Sequence, residues 1–243
     1  MTKRRIDLLL VERRLVENQT KAQALVMAGE VMVDGKSVSK PGTLVYEEAI
    51  LTLTTPPPFV SRGGIKLEFA LERFGIDVSG MVVVDIGAST GGFTDCLLQR
   101  GVTRVYAVDV GKGQLDWRLR NNARVVVMEG LNARYGLDIP EKADLVAIDV
   151  SFISVEKIIL PVMSVLKKSG IIVVLIKPQF EAQKKEVGRG GVITDPEVHA
   201  RVLGRFIHWL LTKGLRLRSL TASPIYGASG NREFFLFLEL AES

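Results

Sequence analysis

Asp85-Ile-Gly-Ala-Ser-Thr-Gly-Gly-Phe93 is the stretch that decides the fold. An apolar run, Met81 to Val84, leads into it, and Thr94 to Gln99 continues out of it in helical spacing. The order is strand, glycine-rich turn, helix. Glycine lets backbone approach a ligand closely, and a helix start offers amide donors with no partner inside the helix. About twenty-four residues after Asp85, the run Val105-Tyr-Ala-Val108 ends in Asp109, where a carboxylate can accept both hydroxyls of a nucleoside ribose. The turn departs from Gly-x-Gly-x-x-Gly because position 89 is serine. A pyrophosphate is therefore less well served than the methionine tail of S-adenosylmethionine, although the Asp109 geometry alone would also suit NAD.

Working outward, strand candidates recur at 81–86, 104–108, 124–128, 145–150, 171–176, 217–222 and 234–240. Helical segments lie between most of them, notably 65–74, 93–100, 155–167 and 197–213. Alternating strands and helices with near-continuous apolar strands predict an α/β domain with a parallel sheet covered on both faces. The last two strands have no room for a helix between them, so the final one should run antiparallel. The expectation is a Rossmann-like, seven-stranded, mostly parallel sheet with its last strand antiparallel. Ligands bind such sheets at the carboxyl ends of the strands.

Residues 1–55 read as a separate small α+β unit. Ile6 to Val11 gives a helix face, Asn18 or Thr20 can cap a second helix over 21–28, and Asp34-Gly35 between short β-branched runs predicts a hairpin. Pro56-Pro-Pro58 interrupts everything. The predicted division is 1–55, a linker at 56–63, and the larger domain at 64–243.

The chain has 243 residues, net charge +5 and pI near 9.3, which leans toward a polyanionic partner without requiring one. A single cysteine, Cys96, leaves no internal disulfide framework, and with only His199 and His208 besides it no metal centre is expected. The start carries no apolar signal core, and the longest apolar run, 171–176, is far short of the ~20 residues that cross a bilayer. A cytosolic protein without membrane partners is expected; oligomeric state is not legible.

Four charged residues bear on chemistry. Asp149 ends the fourth predicted strand of the larger domain, Lys177 follows the fifth, Glu233 precedes the last, and Lys66 sits on the first helix. Adjacent strands would bring Asp149 and Lys177 to one crevice about 5 Å apart. An isolated charge at a strand end is usually solvated; four converging with alternating sign suit methylation of an RNA ribose 2′-hydroxyl. That hydroxyl must lose a proton as it attacks a sulfonium methyl, and a lysine accepts one only when its surroundings favour the neutral amine. Lys177 is the expected base, Lys66 its tuning partner, and Asp149 and Glu233 orient the pair. The expected cofactor contacts are Asp85, Gly87, Ala88, Ser89, Thr90, Gly91, Gly92, Phe93, Asp109 and Asp149. Asn132 is placed either to meet the adenine edge or to serve as a loop residue.

These residues carry a resemblance. Ser61-Arg-Gly-Gly-Ile-Lys66-Leu-Glu68, the Asp85 turn, Asp149-Val-Ser-Phe-Ile-Ser154, Ile176-Lys-Pro-Gln-Phe-Glu181 and Gly230-Asn-Arg-Glu233 resemble the FtsJ-type RNA 2′-O-methyltransferases, whose hallmark is a Lys-Asp-Lys-Glu tetrad. Arg5 to Arg13 and Lys21 to Lys36 resemble an S4 RNA-binding module. Together they are similar to the TlyA family, often labelled hemolysin A. That resemblance implies S-adenosylmethionine-dependent methylation of a cytidine ribose in ribosomal RNA, in the large subunit for the short form this chain is like. Ribosomal RNA or a ribosomal subunit is the implied partner. S4 modules usually carry Ser-Arg before the second helix where Asn18-Gln19 stands, and some members carry Arg-x-Trp-Val where Pro57-Pro-Phe-Val60 stands.

Arg4, Arg5, Arg13, Arg14, Lys21, Lys36 and Lys40 are the expected phosphate contacts of the small unit, and Arg62 of the larger one. A solvated surface is the alternative for the first seven, since acidic residues are nearly as numerous there. Competing functions are a base methyltransferase, an RNA-binding ribosome-assembly factor with a weak or vestigial methyltransferase domain, and a membrane-lytic protein. The first would place prolines after Asp149, where Val-Ser-Phe152 stands.

Overall fold

The computed structural model describes residues 2–54, 57–227 and 229–241. It divides into two compact units, Met1–Pro57 and Pro58–Ser243. The division falls inside the proline run that interrupts the sequence. Arg62 and Gly63, predicted as linker, are helical, because Ser61 already has the extended backbone of a residue preceding a helix (φ −154°, ψ 167°). Pro56 lies outside the described residues.

The small unit runs β1 (Lys3–Arg5), α1 (Ile6–Glu12), α2 (Gln19–Met27), β2 (Val31–Val33), β3 (Lys36–Ser37), β4 (Leu44–Tyr46) and β5 (Leu51–Leu53). The Asn18 side chain caps α2 by accepting from Lys21 N at 2.9 Å. Asp34 and Gly35 both take positive φ, 48° and 78°, as a two-residue hairpin of this hand demands. Strand β1 was not predicted: three consecutive basic residues carry no apolar alternation, and only pairing with β4 makes them a strand. Ile6, Leu9, Leu10, Val26, Val31 and Val45 form the unit's core.

The larger unit contains α3 (Arg62–Phe74), β6 (Val82–Ile86), α4 (Gly92–Gln99), β7 (Arg104–Asp109), α5 (Trp117–Arg120), β8 (Val125–Glu129), β9 (Ala143–Ile148), α6 (Glu156–Met163), β10 (Leu166–Ile176), α7 (Pro178–Glu181), α8 (Pro196–Thr212), β11 (Leu215–Ala222) and β12 (Phe234–Leu240). The seven strands order as β11-β12-β10-β9-β6-β7-β8. Strands β6 to β10 pair in parallel, and β12 lies antiparallel between β10 and β11, as predicted. Alternate strand residues feed opposite faces. Val83, Val105, Leu145 and Val173 pack toward α3 and α4, whereas Val84, Tyr106, Val146 and Ile172 pack toward α6 and α8.

Chain order reverses between β6, which leads to β7 and β8, and β9, which leads to β10. That reversal opens a crevice at the carboxyl ends of β6 and β9, bridged where Asp149 N donates to Ile86 O at 2.9 Å.

Candidate active site

Helix α3 owes its position to spacing. Leu67, Ala70 and Leu71 bury one face, and Gly75 (φ 66°) ends the helix in the left-handed conformation. Lys66 belongs to that buried side. Arg100, at the end of α4, holds α3 in register by donating from Nε and Nη2 to the two Glu68 oxygens, each at 2.7 Å. The amino end of α3 crosses that of α4 so closely that a Cβ on Gly92 would collide with Ser61 and the Gly64 backbone. Lys66 is thereby aimed at the crevice.

All four charged residues line one cavity of about 580 Å³. Lys66 Nζ donates to Glu233 Oε2 at 2.5 Å, and the Glu233 side chain is only 3% exposed. Lys177 Nζ lies 2.6 Å from Asp149 Oδ1 and donates to Ser151 Oγ at 2.7 Å. Two ion pairs thus face one space, each cation matched by an anion. Largely buried pairs of this kind cost desolvation that hydrophobic packing would not. Their presence at a strand-end cavity is therefore a signal of chemistry rather than of stability.

The predicted turn supplies the opposite wall. Gly87, Ala88, Ser89, Thr90, Gly92 and Phe93 line this cavity. Gly91 does not: a Cβ there would meet Leu115 and Leu119, so it faces packing. Asp85 also lines neither this cavity nor the next. Its side chain is fully buried, Oδ2 accepts from Thr94 Oγ1 at 2.6 Å, and Oδ1 has no partner. Burial, together with the nearby Asp149 charge, pushes the Asp85 carboxyl up to about 7 despite the Thr94 bond.

A neighbouring slot of about 480 Å³ shares Gly87, Ser89, Asp149, Ser151 and Phe152 with the first cavity. Asp109, Asn132, Val110, Leu131 and Ile153 complete much of it. Asp109 accepts from Ser89 N at 2.8 Å and Gly111 N at 2.7 Å, one bond per oxygen, which leaves each oxygen a lone pair for a ribose hydroxyl. Asn132 caps the short 3₁₀ turn Ala133–Tyr135 through Arg134 N, and its amide borders the slot. The cap is the loop role predicted for Asn132.

Reading the sequence missed Ser151, Phe152, Gln179 and Phe180. Phe152 is 91% exposed, takes positive φ (64°), and its ring lies 5.2 Å from that of Phe180 at the cavity mouth. An aromatic three residues beyond the strand-end Asp149 is the signal the sequence offered; its exposure and positive φ show only in three dimensions. Glu181 ties the two loops together, accepting from Ser154 Oγ at 2.6 Å and Val155 N at 2.8 Å.

In the small unit several expected phosphate contacts are engaged internally. Arg4 pairs with Glu12 and Glu47, Arg5 with the buried Asp7, Arg13 with the Glu47 and Ala49 carbonyls, and Lys21 with Glu17. Gln19, in place of the usual arginine, also bonds Asp7, at 3.0 Å. Arg5 holds the Asp7 carboxyl well below the usual range. Arg14, Lys36, Lys40 and, in the larger unit, Arg62 have no carboxylate partner among the described residues.

Comparison with known proteins decides the family. The FtsJ-like methyltransferase family matches residues 59–240, and the S4 domain matches residues 4–51. The chain belongs to the FtsJ-like methyltransferases. Its S4 unit and its relatives place it in their TlyA group. The 16S/23S rRNA (cytidine-2′-O)-methyltransferase TlyA of Mycobacterium tuberculosis is 45% identical over 96% of this chain and 89% of its own length. The 23S rRNA (cytidine-2′-O)-methyltransferase TlyA of Campylobacter jejuni is 31% identical over 93% of this chain and 96% of its own. A solved structure from Streptococcus thermophilus, described as a hemolysin, superposes with a TM-score of 0.76 at 40% identity, covering all of this chain and 90% of that one. S-adenosylmethionine is the methyl donor of FtsJ-like methyltransferases. The site fits it: a slot bordered by the Asp109 carboxylate, whose oxygens each keep a free lone pair, adjoins the glycine turn. Among the described residues, no helix is long and apolar enough to cross a membrane.

Proposed function

We infer that this FtsJ-like chain methylates the 2′-hydroxyl of a cytidine ribose in ribosomal RNA, with the large-subunit RNA as target. The observation that carries the reading is the single cavity lined by Lys66, Asp149, Lys177 and Glu233 beside a nucleoside-sized slot. Both TlyA relatives described above act on cytidine 2′-hydroxyls, and 23S RNA is the substrate their names share. Such a protein works in the cytoplasm.

Asp109 would hold the cofactor ribose, Asn132 would border the adenine, and the Gly87–Phe93 turn would carry the methionine tail. When bound, S-adenosylmethionine supplies an electrophilic methyl on a cationic sulfur. Lys177, in reach of Asp149 and Ser151, would take the proton from the attacking hydroxyl as a neutral amine, its own proton having first gone to solvent. Asp149 and Ser151 fix the amine's direction. Lys66, held by Glu233, lines the same cavity as a second cation that can orient the ribose or its phosphate. Phe152 offers an exposed ring on which the target base can lie. Holding hydroxyl and methyl in line supplies much of the rate.

Ribosomal RNA or subunits incubated with labelled cofactor, digested to nucleosides and fragmented by mass, test the assignment. The expected product is cytidine carrying the methyl on its sugar, at an alkali-resistant linkage. A methyl on the base, or incorporation only into small-subunit RNA, would overturn it.

A further inference from the structure

Lining residues alternate along 229–234. Ser229, Asn231 and Glu233 border the tetrad cavity, whereas Gly230, Arg232 and Phe234 border a second groove of about 610 Å³. Ser229 and Gly230 (φ 84°) lie in a turn, and from Asn231 on successive side chains leave on opposite sides, so one short stretch serves both spaces. The wall between them is anchored by Asn231, which is 1% exposed. Its Oδ1 accepts from Ile193 N at 2.9 Å, and its Nδ2 donates to Gly191 O at 2.9 Å.

The groove has a definite chemistry. Tyr226 is 55% exposed, and its hydroxyl accepts from Arg232 Nη1 at 2.9 Å. The guanidinium also lies 5.4 Å from the Tyr226 ring centroid. His199 forms the far side, its ring edge-on to Phe234 at 5.5 Å. No carboxylate among the described residues lines the groove, and Arg232 has no ion pair among them. An unneutralised guanidinium beside an exposed aromatic face matches a nucleotide, with the phosphate on the cation and the base on the ring.

We propose that this groove seats the nucleotide adjoining the methylated one in the same RNA strand. Its phosphate sits on Arg232 and its base stacks on Tyr226. The proposal rests on the ribose-methylation reading, because that reading places the target ribose beside Lys66, which is held by Glu233, one residue from Arg232. It adds a substrate subsite that positions the strand across the Asn231 wall.

The test uses the full chain, unmodified large-subunit RNA and labelled cofactor, with Arg232→Ala and Tyr226→Ala compared to Arg232→Lys and Tyr226→Phe. RNA affinity is measured directly as well as by turnover. Each alanine variant should weaken RNA binding and raise KM by about 5- to 100-fold. Their kcat and their cofactor affinity by calorimetry should stay within about threefold. Arg232→Ala should also flatten the salt dependence of RNA affinity by about 0.7 to 0.9 in log–log slope. The conservative variants should keep most of the wild-type affinity. RNA affinity and salt slope unchanged in both alanine variants would overturn the proposal. So would a fall in kcat alone, which would mean that the pair merely steadies the Glu233 turn. If wild type methylates no ribose, the functional reading fails by itself, while the affinity measurements still decide whether the groove holds RNA.

Discussion

Two residues, one lining the cavity and one buried before its glycine turn, respond to pH and mutation in different ways. Lys177 is the expected proton acceptor, so Lys177→Ala should lower methyl transfer by about 10²- to 10⁴-fold while cofactor affinity by calorimetry changes only a few fold. Wild-type turnover in that variant would remove Lys177 as the base. Asp85 is a stability device with a cost. Its ordinary value is 3.8 and burial carries it to about 7 in the folded chain. Between those values the folded protein holds a proton that the unfolded chain has released. Stability should therefore fall as pH rises from about 4 toward 7, by up to about 4 kcal/mol. Asp85→Asn should remove that slope in thermal melts at pH 5 and pH 8. An unchanged slope would mean that Asp85 is already ionised at the lower pH. A cation arriving near this acid favours its ionised form, so cofactor binding near pH 6 should release protons. Calorimetry in two buffers of different ionisation enthalpy would detect the release. None of this was legible from sequence, where Asp85 looked like a direct ligand contact. The alternation that buries a strand residue on one face is visible in sequence; how tightly Thr94 would close over it is not.

At the level of elements, close backbone approach sets the tolerance of the site. Gly87 has φ 85°, and a Cβ there would run into the Asp149 carbonyl. Gly87→Ala should lose about 2 kcal/mol of stability and most cofactor affinity, read by melting and calorimetry together. Retention of both would show that the turn can yield. The Glu181 clamp joins the loop after β9 to α7, and burial pushes its carboxyl upward despite the bonds from Ser154 and Val155. Glu181→Gln keeps the size and should lower kcat more than cofactor affinity, because the Asp149 and Lys177 loops lose a shared anchor. The mostly parallel sheet, its antiparallel last strand and the strand-end positions of the charges were legible because apolar runs and glycine turns punctuate this domain, whereas the full strand order was not. Other limits were not. Strand β10 starts at Leu166, five residues before its apolar run, across Lys167 to Gly170. The ladder jumps there from Leu166 opposite Ala143 to Ile171 opposite Leu145, an irregularity that hides the early pairing from a period-two pattern. Helix α5 is one turn, Trp117–Arg120, capped by the Asp116 side chain, too short for periodicity to show.

Across the whole molecule, the two units have separate cores and divide the work. The unit at 58–243 should fold alone and bind cofactor, yet lose RNA affinity, which binding measurements on the truncated and full chains would show. Charge removal at Arg14, Lys36 and Lys40 in the full chain should weaken RNA binding and flatten its salt dependence, by about 0.7 to 0.9 in log–log slope for each phosphate left unneutralised. No change on removing all three would assign RNA binding to other residues. Strand β12 has a consequence for how the protein is made. It is the last strand in chain order, yet it fills the gap between β10 and β11 and brings Glu233 to a lysine 167 residues upstream. A ribosome adding ~5–20 residues per second leaves Lys66 waiting roughly 8–33 s for that carboxylate. Through that interval the nascent sheet shows a bare β10 edge and an uncompensated lysine. The cavity that gathers the four charged residues is therefore complete in each copy only once β12 has left the exit tunnel.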